Sequence, residues 1–280
     1  MKRKIITCSL AIGLCFGLSA QDMVSKKGVS ILPESGDIGL GADATPLLDY
    51  VGNAFNFNDN NSVNSAFRTN DQSIFLKYFQ DESTAIRARI RVGLDNTATN
   101  NFVVQDEQSD PTVTVEDKRR VRNTNIVIGA GLEKRRGSGR LQGFYGGEFF
   151  LALSGGSTTF EYGNTFNQNN VTPTSTTDFD AQITGPAPSR LLETSNGSTF
   201  GLGLRGFVGA EYFFAPKLSV GTEFGWGFGF NSTGEGETKV ESWDAGNNAI
   251  SETTTKVAGG SSLDLDTDNL GGAIYVMFHF

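Results

Sequence analysis

Charged residues recur at every second position in segments that are otherwise apolar, and the chemistry they could perform is ion pairing. Arg87, Arg89 and Arg91 alternate with apolar residues in one such segment. Side chains of both signs that share a confined interior can offset the cost of leaving water by pairing. We therefore predict an internal charge network, whose members are Lys77, Arg87, Arg89, Arg91, Glu133, Glu148, Arg205, Glu211 and Glu223.

Motifs for catalysis or cofactor binding lack the context that they need. Gly201, Gly203 and Gly206 match a dinucleotide-binding fingerprint, but that fingerprint follows a strand and begins a helix, whereas here it lies within a strand pattern. His279 is the only histidine. No nucleophile stands in an evident relation to it, so we interpret it as a packing residue. We predict no catalytic residue and no cofactor.

Three aspartates near the C-terminus, Asp264, Asp266 and Asp268, resemble the start of a calcium-binding loop. Counted from the first, the sixth position of such a loop should be glycine and the twelfth glutamate. Those positions are Asn269 and Tyr275, so the pattern fails and no metal site is predicted.

The segments that carry the charged residues alternate strictly between apolar and small or polar side chains, which indicates β-strands. Each is close to the ~9 to 11 residues that a tilted membrane strand needs, and the first is shorter. We predict an all-β fold, an eight-stranded antiparallel transmembrane β-barrel with four long extracellular loops. The predicted strands are residues 37–44, 74–79, 86–94, 124–132, 143–153, 200–214, 218–230 and 270–280.

The connections between these strands are alternately short and long. Outer-membrane barrels have short periplasmic turns and longer extracellular loops. The pattern therefore predicts that the long connections are extracellular and that both termini are periplasmic. The long connections are residues 45–72, 95–122, 154–198 and 231–267.

Two of the long connections have recognisable content. Residues 238–243 and 250–257 flank a turn and predict a hairpin that rises above the membrane. Residues 157–177 are rich in Asn, Thr and Ser. We expect them to form a mobile, solvated loop.

The chemistry of the two strand faces separates a membrane protein from a soluble one. The face opposite the charges is the larger and more continuous, with residues such as Trp226, Phe228 and Phe230. Exposed to water, it would exceed the apolar patch of a few hundred Å² that soluble monomers tolerate. We predict that this face contacts lipid and that the eight strands enclose an interior just wide enough for side chains.

The N-terminus has the features of a secretory signal peptide. Lys2, Arg3 and Lys4 precede an apolar run that ends at the small residues Ser19 and Ala20. We therefore predict three regions. They are a signal peptide at residues 1–20, a short periplasmic segment at residues 21–35 and an outer-membrane barrel at residues 36–280.

Net charge argues against nucleic-acid binding, and cysteine content argues against disulfides and thiol ligands. The formal net charge is −8, and both cysteines, Cys8 and Cys15, lie within the predicted signal peptide. A chain this acidic is not expected to bind nucleic acid through its overall field. The processed chain is expected to have neither disulfides nor thiol ligands.

Lys118, Arg119, Arg120 and Arg122 form a basic cluster in the second long connection. Two interpretations are equally open. The cluster is either a solvated rim or a contact for the phosphates of lipopolysaccharide, to which Lys and Arg are suited.

The C-terminal strand is similar to the assembly signal of outer-membrane proteins, an alternating apolar strand that ends in phenylalanine. The whole pattern, from about residue 36 to residue 280, resembles the OmpA-like and OmpX-like superfamily of small barrels, and the Bacteroidota "porin family" in particular. This resemblance implies a bacterial outer-membrane location and recognition by the barrel assembly machinery. The signal residues are Gly272, Ile274, Val276, Phe278 and Phe280.

Barrels of this kind are scaffolds whose function resides in their loops. We therefore expect a non-enzymatic protein in contact with outer-membrane lipid and lipopolysaccharide, which acts in envelope integrity and binds a host or surface ligand through its loops. The alternative is a narrow porin-like channel for small solutes, or a binder of a hydrophobic ligand at the barrel mouth.

Overall fold

The computed structural model describes residues 24–44, 73–268 and 274–280, apart from the side chains of residues 266–268. The predicted signal peptide, the whole of the first long connection (residues 45–72) and Gly272 lie outside these residues. No helix in the described ranges is long and apolar enough to cross a membrane. The described strands are β1 (Ile38–Asp43), β2 (Ile74–Asp81), β3 (Thr84–Val104), β4 (Thr114–Arg136), β5 (Leu141–Glu161), β6 (Thr174–Asp178), β7 (Ile183–Pro186), β8 (Ser189–Ala215), β9 (Leu218–Thr233), β10 (Gly236–Asp244), β11 (Ala249–Val257), β12 (Gly260–Asp268) and β13 (Ile274–His279).

Eleven of these strands form one antiparallel sheet. From β1, the pairings lead through β2, β3, β4, β5, β8 and β9 to β13, which pairs with β1 again. The pairings of these eight strands therefore form a closed circuit, and each of the eight has a neighbour on both sides. A closed circuit satisfies the backbone hydrogen-bonding groups that an open sheet would leave at its edges.

The structure describes thirteen strands rather than the predicted eight, because long strands are interrupted and because β6 and β7 form a sheet of their own. β10 pairs with the first part of β8 and β9 with the rest of it. On their other sides, β10 pairs with β11 and β9 pairs with β12. The predicted hairpin of residues 238–243 and 250–257 is confirmed as β10 and β11. The interruption lies where Gly197, with φ of +77°, passes so close to Gly234 that a Cβ atom would be 2.3 Å from its carbonyl oxygen. Glycine is the residue that tolerates both conditions.

The strands are also longer than predicted, so three of the predicted loops consist largely of strand. β3 and β4 pair without interruption from Thr84 opposite Lys134 to Val104 opposite Thr114, and this ladder crosses most of the predicted loop of residues 95–122. The halves of these strands that lie farther from the short turns, residues 95–104 and 114–122, are rich in Asn, Thr and Arg. We call such parts of the long strands their outer halves. They lack the apolar alternation by which strands are recognised from sequence.

The two faces of the circuit have opposite chemistry, in the arrangement that the alternation predicts. Its interior contains the buried charged residues and an aromatic cluster, and large apolar side chains on the other face are exposed. The members of the interior cluster are Phe75, Phe144, Phe207, Tyr275 and Met277.

A second, two-stranded sheet of β6 and β7 packs against the outer halves of β3, β4 and β5. Asn101 of β3 donates a hydrogen bond from its amide to Thr176 Oγ1 at 3.3 Å. The ring of Phe179 lies 5.7 Å from that of Phe160 on β5. The segment between β5 and β8 therefore folds over the inner face of the long strands.

Candidate functional site

Near the short turns, the interior network is centred on two fully buried carboxylates, Glu133 and Glu211. Lys77 Nζ lies 3.0 Å from the first carboxylate and 3.1 Å from the second. Arg135 Nη1 lies 2.9 Å and 2.8 Å from the same two groups. Two cations and two anions therefore alternate around one small volume, and each charge has an opposite neighbour on two sides.

The part of the network farther from the short turns is centred on Arg87 and Glu223. The guanidinium of Arg87 donates two hydrogen bonds to that carboxylate, at 2.9 and 3.2 Å, in the bidentate geometry that suits arginine. Arg205 adds a contact of 2.9 Å to Glu223. Arg89 lies 2.9 Å from Glu148. Because β3 and β9 are not neighbours in the circuit, the pair of Arg87 and Glu223 bridges the interior.

Arg87 also connects the two parts of the network. Its Nη1 lies 3.6 Å from Glu133 and its Nε lies 3.4 Å from Glu148. Arg91 is the remaining predicted member of the network on β3. It lies two residues beyond Arg89 on β3 and is half-buried.

Arg135 is the member that the sequence prediction missed. The predicted strand ends at residue 132 and the next begins at residue 143, with a turn expected at residues 134–140, whereas β4 continues to Arg136. The signal was present, because Arg135 continues the period of two that runs through Gly131 and Glu133 on the inward face. The basic residues Lys134 and Arg136 on either side obscured it.

His279 lies at the inner end of the network. Its Nε2 is 3.3 Å from Glu211 and 3.2 Å from Ser219 Oγ, and its ring lies between those of Phe79 and Phe213. A histidine, a serine and a carboxylate thus meet, but all three are at most 1% exposed. A substrate cannot approach them, so the geometry supports packing rather than hydrolysis.

Large inward side chains lie over inward glycines on neighbouring strands. A Cβ atom on Gly221 would be 2.3 Å from the Tyr275 ring, and one on Gly209 would be 2.3 Å from the Phe144 ring. The guanidinium of Arg205 covers Gly225 in the same way, at 2.8 Å. The inward glycines therefore provide space for bulky side chains, which fill the interior at the level of the network.

The basic cluster of the sequence is divided between the two faces of β4. Arg119 points inward, where it donates two hydrogen bonds to Asp180, at 2.6 and 3.0 Å. These hydrogen bonds hold the pKa of the Asp180 carboxyl below its usual range. Lys118, Arg120 and Arg122 occupy the alternate positions of β4 and therefore lie on the outward face.

A polar cluster that the sequence did not predict joins β8 and β10 to the segment between β5 and β8. Arg190 lies 2.6 Å from Glu241, and its guanidinium lies 4.5 Å from the rings of both Tyr162 and Phe166. It also donates a hydrogen bond of 2.6 Å to the carbonyl oxygen of Asn164. Burial raises the pKa of Tyr162 to about 12.

Asp117 of β4 anchors the same segment. Its carboxylate is fully buried and accepts hydrogen bonds from the backbone nitrogens of Gly163, at 2.8 Å, and Thr176, at 2.7 Å. The expectation of a solvated loop at residues 157–177 is therefore wrong, because Asn164, Ser175 and Thr176 are buried. The expected mobility stays a prediction. Composition misled here, because the polar side chains that suggested solvation bond to the backbone instead.

Asp106 provides a pH-dependent part of this anchoring. Burial raises the pKa of its carboxyl, but hydrogen bonds from Thr174 and Asn170 together lower the pKa by more than burial raises it. The resulting pKa is below the usual 3.8. A carboxyl whose pKa is lower in the folded state stabilises the fold above its unfolded pKa, and this contribution is lost as pH falls.

We predict that acid loosens the segment of residues 162–188. Cleavage there by pepsin should be faster at about pH 3 than at about pH 5 relative to cleavage of a denatured reference protein. The substitution Asp106→Ala should accelerate cleavage at neutral pH by a neutral protease. Asp110→Ala is the control, because Asp110 is exposed and bonds Thr112 within its own turn. Equal cleavage of both variants would contradict the prediction.

Four of the five residues predicted as the assembly signal lie within the described chain. Ile274, Val276, Phe278 and Phe280 point outward, and Phe278 and Phe280 are more than half exposed. The strand that carries the first three, β13, pairs with β1 on one side and β9 on the other, and so closes the circuit.

Comparisons with known proteins give only weak structural similarity. No family model matches this chain, and the sequence of no curated protein matches it either. The crystal structure of the outer membrane protein OprG from Pseudomonas aeruginosa is similar, with a TM-score of 0.30 and 11% identity over 89% of this chain and 98% of that chain. The resemblance to OmpA-like, OmpX-like and Bacteroidota porin-family barrels stays a prediction.

Proposed function

We propose that this protein is a non-enzymatic β-barrel of the Gram-negative outer membrane, which acts in envelope integrity and in surface interaction. The eight-strand circuit spans the membrane, both termini lie in the periplasm, and the outer halves of the long strands project from the cell. The observation that carries this proposal is the arrangement of buried ion pairs inside and exposed apolar residues outside.

The outward apolar surface supports a lipid environment. Its side chains are each more than a third exposed, and together they cover far more than the few hundred Å² that a soluble monomer tolerates. In lipid the same side chains are in their preferred medium. The outward residues include Ile38, Leu40, Ile74, Ile86, Val92, Ile128, Leu132, Phe149, Leu151, Leu153, Phe200, Leu202, Leu204, Val208, Phe224 and Val276.

The height of this surface supports a full membrane span. The outward residues of β8 from Phe200 to Phe214 cover about 14 steps of roughly 3.3 Å, which at a tilt of about 40° gives a height of roughly 35 Å. That height accommodates an apolar band of about 25 Å with aromatic girdles at both interfaces. Exposed aromatic residues occur at both levels: Tyr78, Tyr145, Phe214, Phe278 and Phe280 at one, and Phe200 and Phe230 at the other. Trp226 and Phe228, which are paired with Gly206 and Leu204, lie within the apolar band.

The filled interior favours a scaffold over the alternative of a narrow porin-like channel. We predict that the purified protein gives no steady single-channel openings in planar bilayers, in conditions where a general porin conducts. The reason is that Lys77, Arg87, Glu133 and Glu211 are each at most 2% exposed and hold one another across the interior. Steady openings whose conductance changes in a Glu148→Gln variant would contradict the scaffold proposal.

Location and topology have their own test. Unboiled protein extracted from outer membranes should migrate differently from boiled protein in a denaturing gel, as a closed barrel does. Protease added to intact cells should cleave within the projecting strands and leave a protected barrel. Recovery of the processed chain as a water-soluble monomer would exclude a membrane barrel.

The partners follow from the same arrangement. β13 would present its outward Phe278 and Phe280 to the barrel assembly machinery, and the projecting hairpin of β10 and β11 would be accessible to a host or surface ligand. The acidic chain is not expected to bind nucleic acid. Lipopolysaccharide is the phosphate-bearing partner for the outward basic residues of β4.

A further inference from the structure

A groove lies on the outer wall where the apolar surface ends and the projecting strands begin. It has a volume of about 520 Å³ and is formed by β4, β5 and β8. Its membrane side is bounded by apolar side chains and its other side by hydroxyls and a guanidinium. The lining residues that matter here are Arg122, Thr124, Leu153, Ser157, Ser198 and Phe200.

The strand register places cations along one side of this groove. Arg122 is paired with Ser157 of β5, which is paired with Ser195 of β8, so these side chains share the outward face. Arg120 and Lys118 continue the same column on β4 away from the apolar surface. Among the described residues, neither Arg120 nor Arg122 has an ion-pair partner within 4 Å.

A second hollow lies below the groove, within the apolar surface. It has a volume of about 490 Å³ and surrounds the outward pair of Gly147 and Gly206. Because these glycines have no side chains, the wall is recessed there by comparison with its surroundings. Its apolar lining is formed by Phe149, Leu204, Trp226, Phe228 and Leu265.

The two cavities lie along the same pair of strands at a separation that suits a membrane lipid. The pair of Gly147 and Gly206 and the pair of Gly155 and Ser198 are eight residues apart. At roughly 3.3 Å per residue and a tilt of about 40°, this is roughly 20 Å along the membrane normal. One leaflet of the hydrocarbon core is about 15 Å thick. The hollow begins at Phe149 and Leu204, six residues from the pair of Gly155 and Ser198 and so roughly 15 Å below it. An acyl chain of a lipid with its headgroup at the groove would therefore reach this upper edge.

We propose that this outer wall is a binding site for one phosphorylated glycolipid, the lipid A part of lipopolysaccharide. A phosphate contacts Arg122 and Arg120, because guanidinium groups bind phosphate with paired hydrogen bonds. Sugar hydroxyls contact Thr124, Ser157 and Ser198, and an acyl chain lies in the hollow at Gly206. The hydroxyl side chains favour a sugar headgroup over a simple phospholipid headgroup. The site rests on the proposed outer-membrane location.

The test measures lipid A retained by protein extracted from outer membranes in mild detergent, by native mass spectrometry. Wild-type protein should retain about one lipid A per chain. The double variant Arg120→Ala/Arg122→Ala and the variant Gly206→Leu, which fills the hollow, should each retain at least about tenfold less. Lys256→Ala is the matched control. It removes a cation at the same level on β11, where Lys256 pairs with Glu235, and it should retain the wild-type amount.

A second arm identifies the headgroup. Delipidated protein in nanodiscs of phosphatidylglycerol should capture added lipid A, and excess phosphatidylglycerol should not displace it. Wild-type retention by both cavity variants, or equal competition by phosphatidylglycerol, would overturn the proposal. The gel shift of unboiled protein distinguishes failure of the lipid site from failure of the proposed function. A shifted, membrane-located protein without lipid A would refute the site alone. An unshifted, soluble protein would refute the membrane barrel as well.

Discussion

Replacing Glu211 with alanine is expected to prevent formation of the folded barrel, or to leave a fraction that unfolds at much lower urea. The carboxylate of Glu211 contacts Lys77 at 3.1 Å, Arg135 at 2.8 Å and His279 at 3.3 Å, and accepts a hydrogen bond from Ser219. Its removal leaves two cations to share Glu133 in a volume that excludes water. Breaking a buried ion pair from one side costs roughly 3–5 kcal/mol.

The size of this loss relative to the whole fold makes the effect visible. Small domains have a free energy of unfolding of about 5–15 kcal/mol, so the loss would be a large part of it. The measurement is the fraction of unboiled protein that migrates as the folded form along a urea gradient in detergent micelles.

A surface ion pair provides the control for Glu211. Glu252 lies 2.6 Å from Lys239, but both side chains are more than a third exposed. Exposed pairs contribute at most about 1 kcal/mol. Glu252→Ala should therefore leave the unfolding midpoint nearly unchanged. Similar midpoints for the two variants would mean that the interior charges are solvated rather than packed against one another.

The sequence predicted faces much better than it predicted lengths. Alternation indicates which face each side chain occupies. It predicts that Leu204, Val208 and Phe214 face outward and that Phe207 and Phe213 face inward, and the structure shows the former exposed and the latter buried. In the outer halves of β3 and β4 most side chains on both faces are polar, so the apolar alternation fades. Residues 95–104 of β3 and 114–122 of β4 were assigned to a loop for this reason, although their backbone ladder continues unbroken.

Ion-pair partners could not be predicted from the sequence, because alternation gives the direction of a side chain but not its height. Arg87 pairs with Glu223, 136 residues away. That pairing depends on the stagger between β3 and β9 around the circuit. Likewise, the division of the basic cluster, with Arg119 inward and Arg120 outward, follows from period two. The partner of the inward residue could not be predicted, because Asp180 lies 61 residues away in the segment between β5 and β8.

The substitution Gly221→Ala is expected to destabilise the protein by roughly 1–3 kcal/mol, which is the typical cost of overpacking a close-packed core. A Cβ atom at Gly221 would lie 2.3 Å from the Tyr275 ring. The ring is 1% exposed and is held by its neighbour Phe75, at 5.3 Å between ring centroids, and by Lys77, whose Nζ donates to its hydroxyl at 3.2 Å. It therefore has no space into which it can move.

A double-mutant cycle tests this explanation directly, because the clash belongs to one pair of side chains. Tyr275→Ala alone should destabilise by about 3–5 kcal/mol, as expected for loss of a buried aromatic side chain. In that background Gly221→Ala should cost about 0.5 kcal/mol or less, since its methyl group enters the space the ring has left. Gly206→Ala is the control for glycine itself: it lies on the outward face, where a Cβ atom would be 3.9 Å from Trp226. If Gly221→Ala costs the same with and without the ring, the inward glycines are required by strand curvature and not by the side chains that fill the interior.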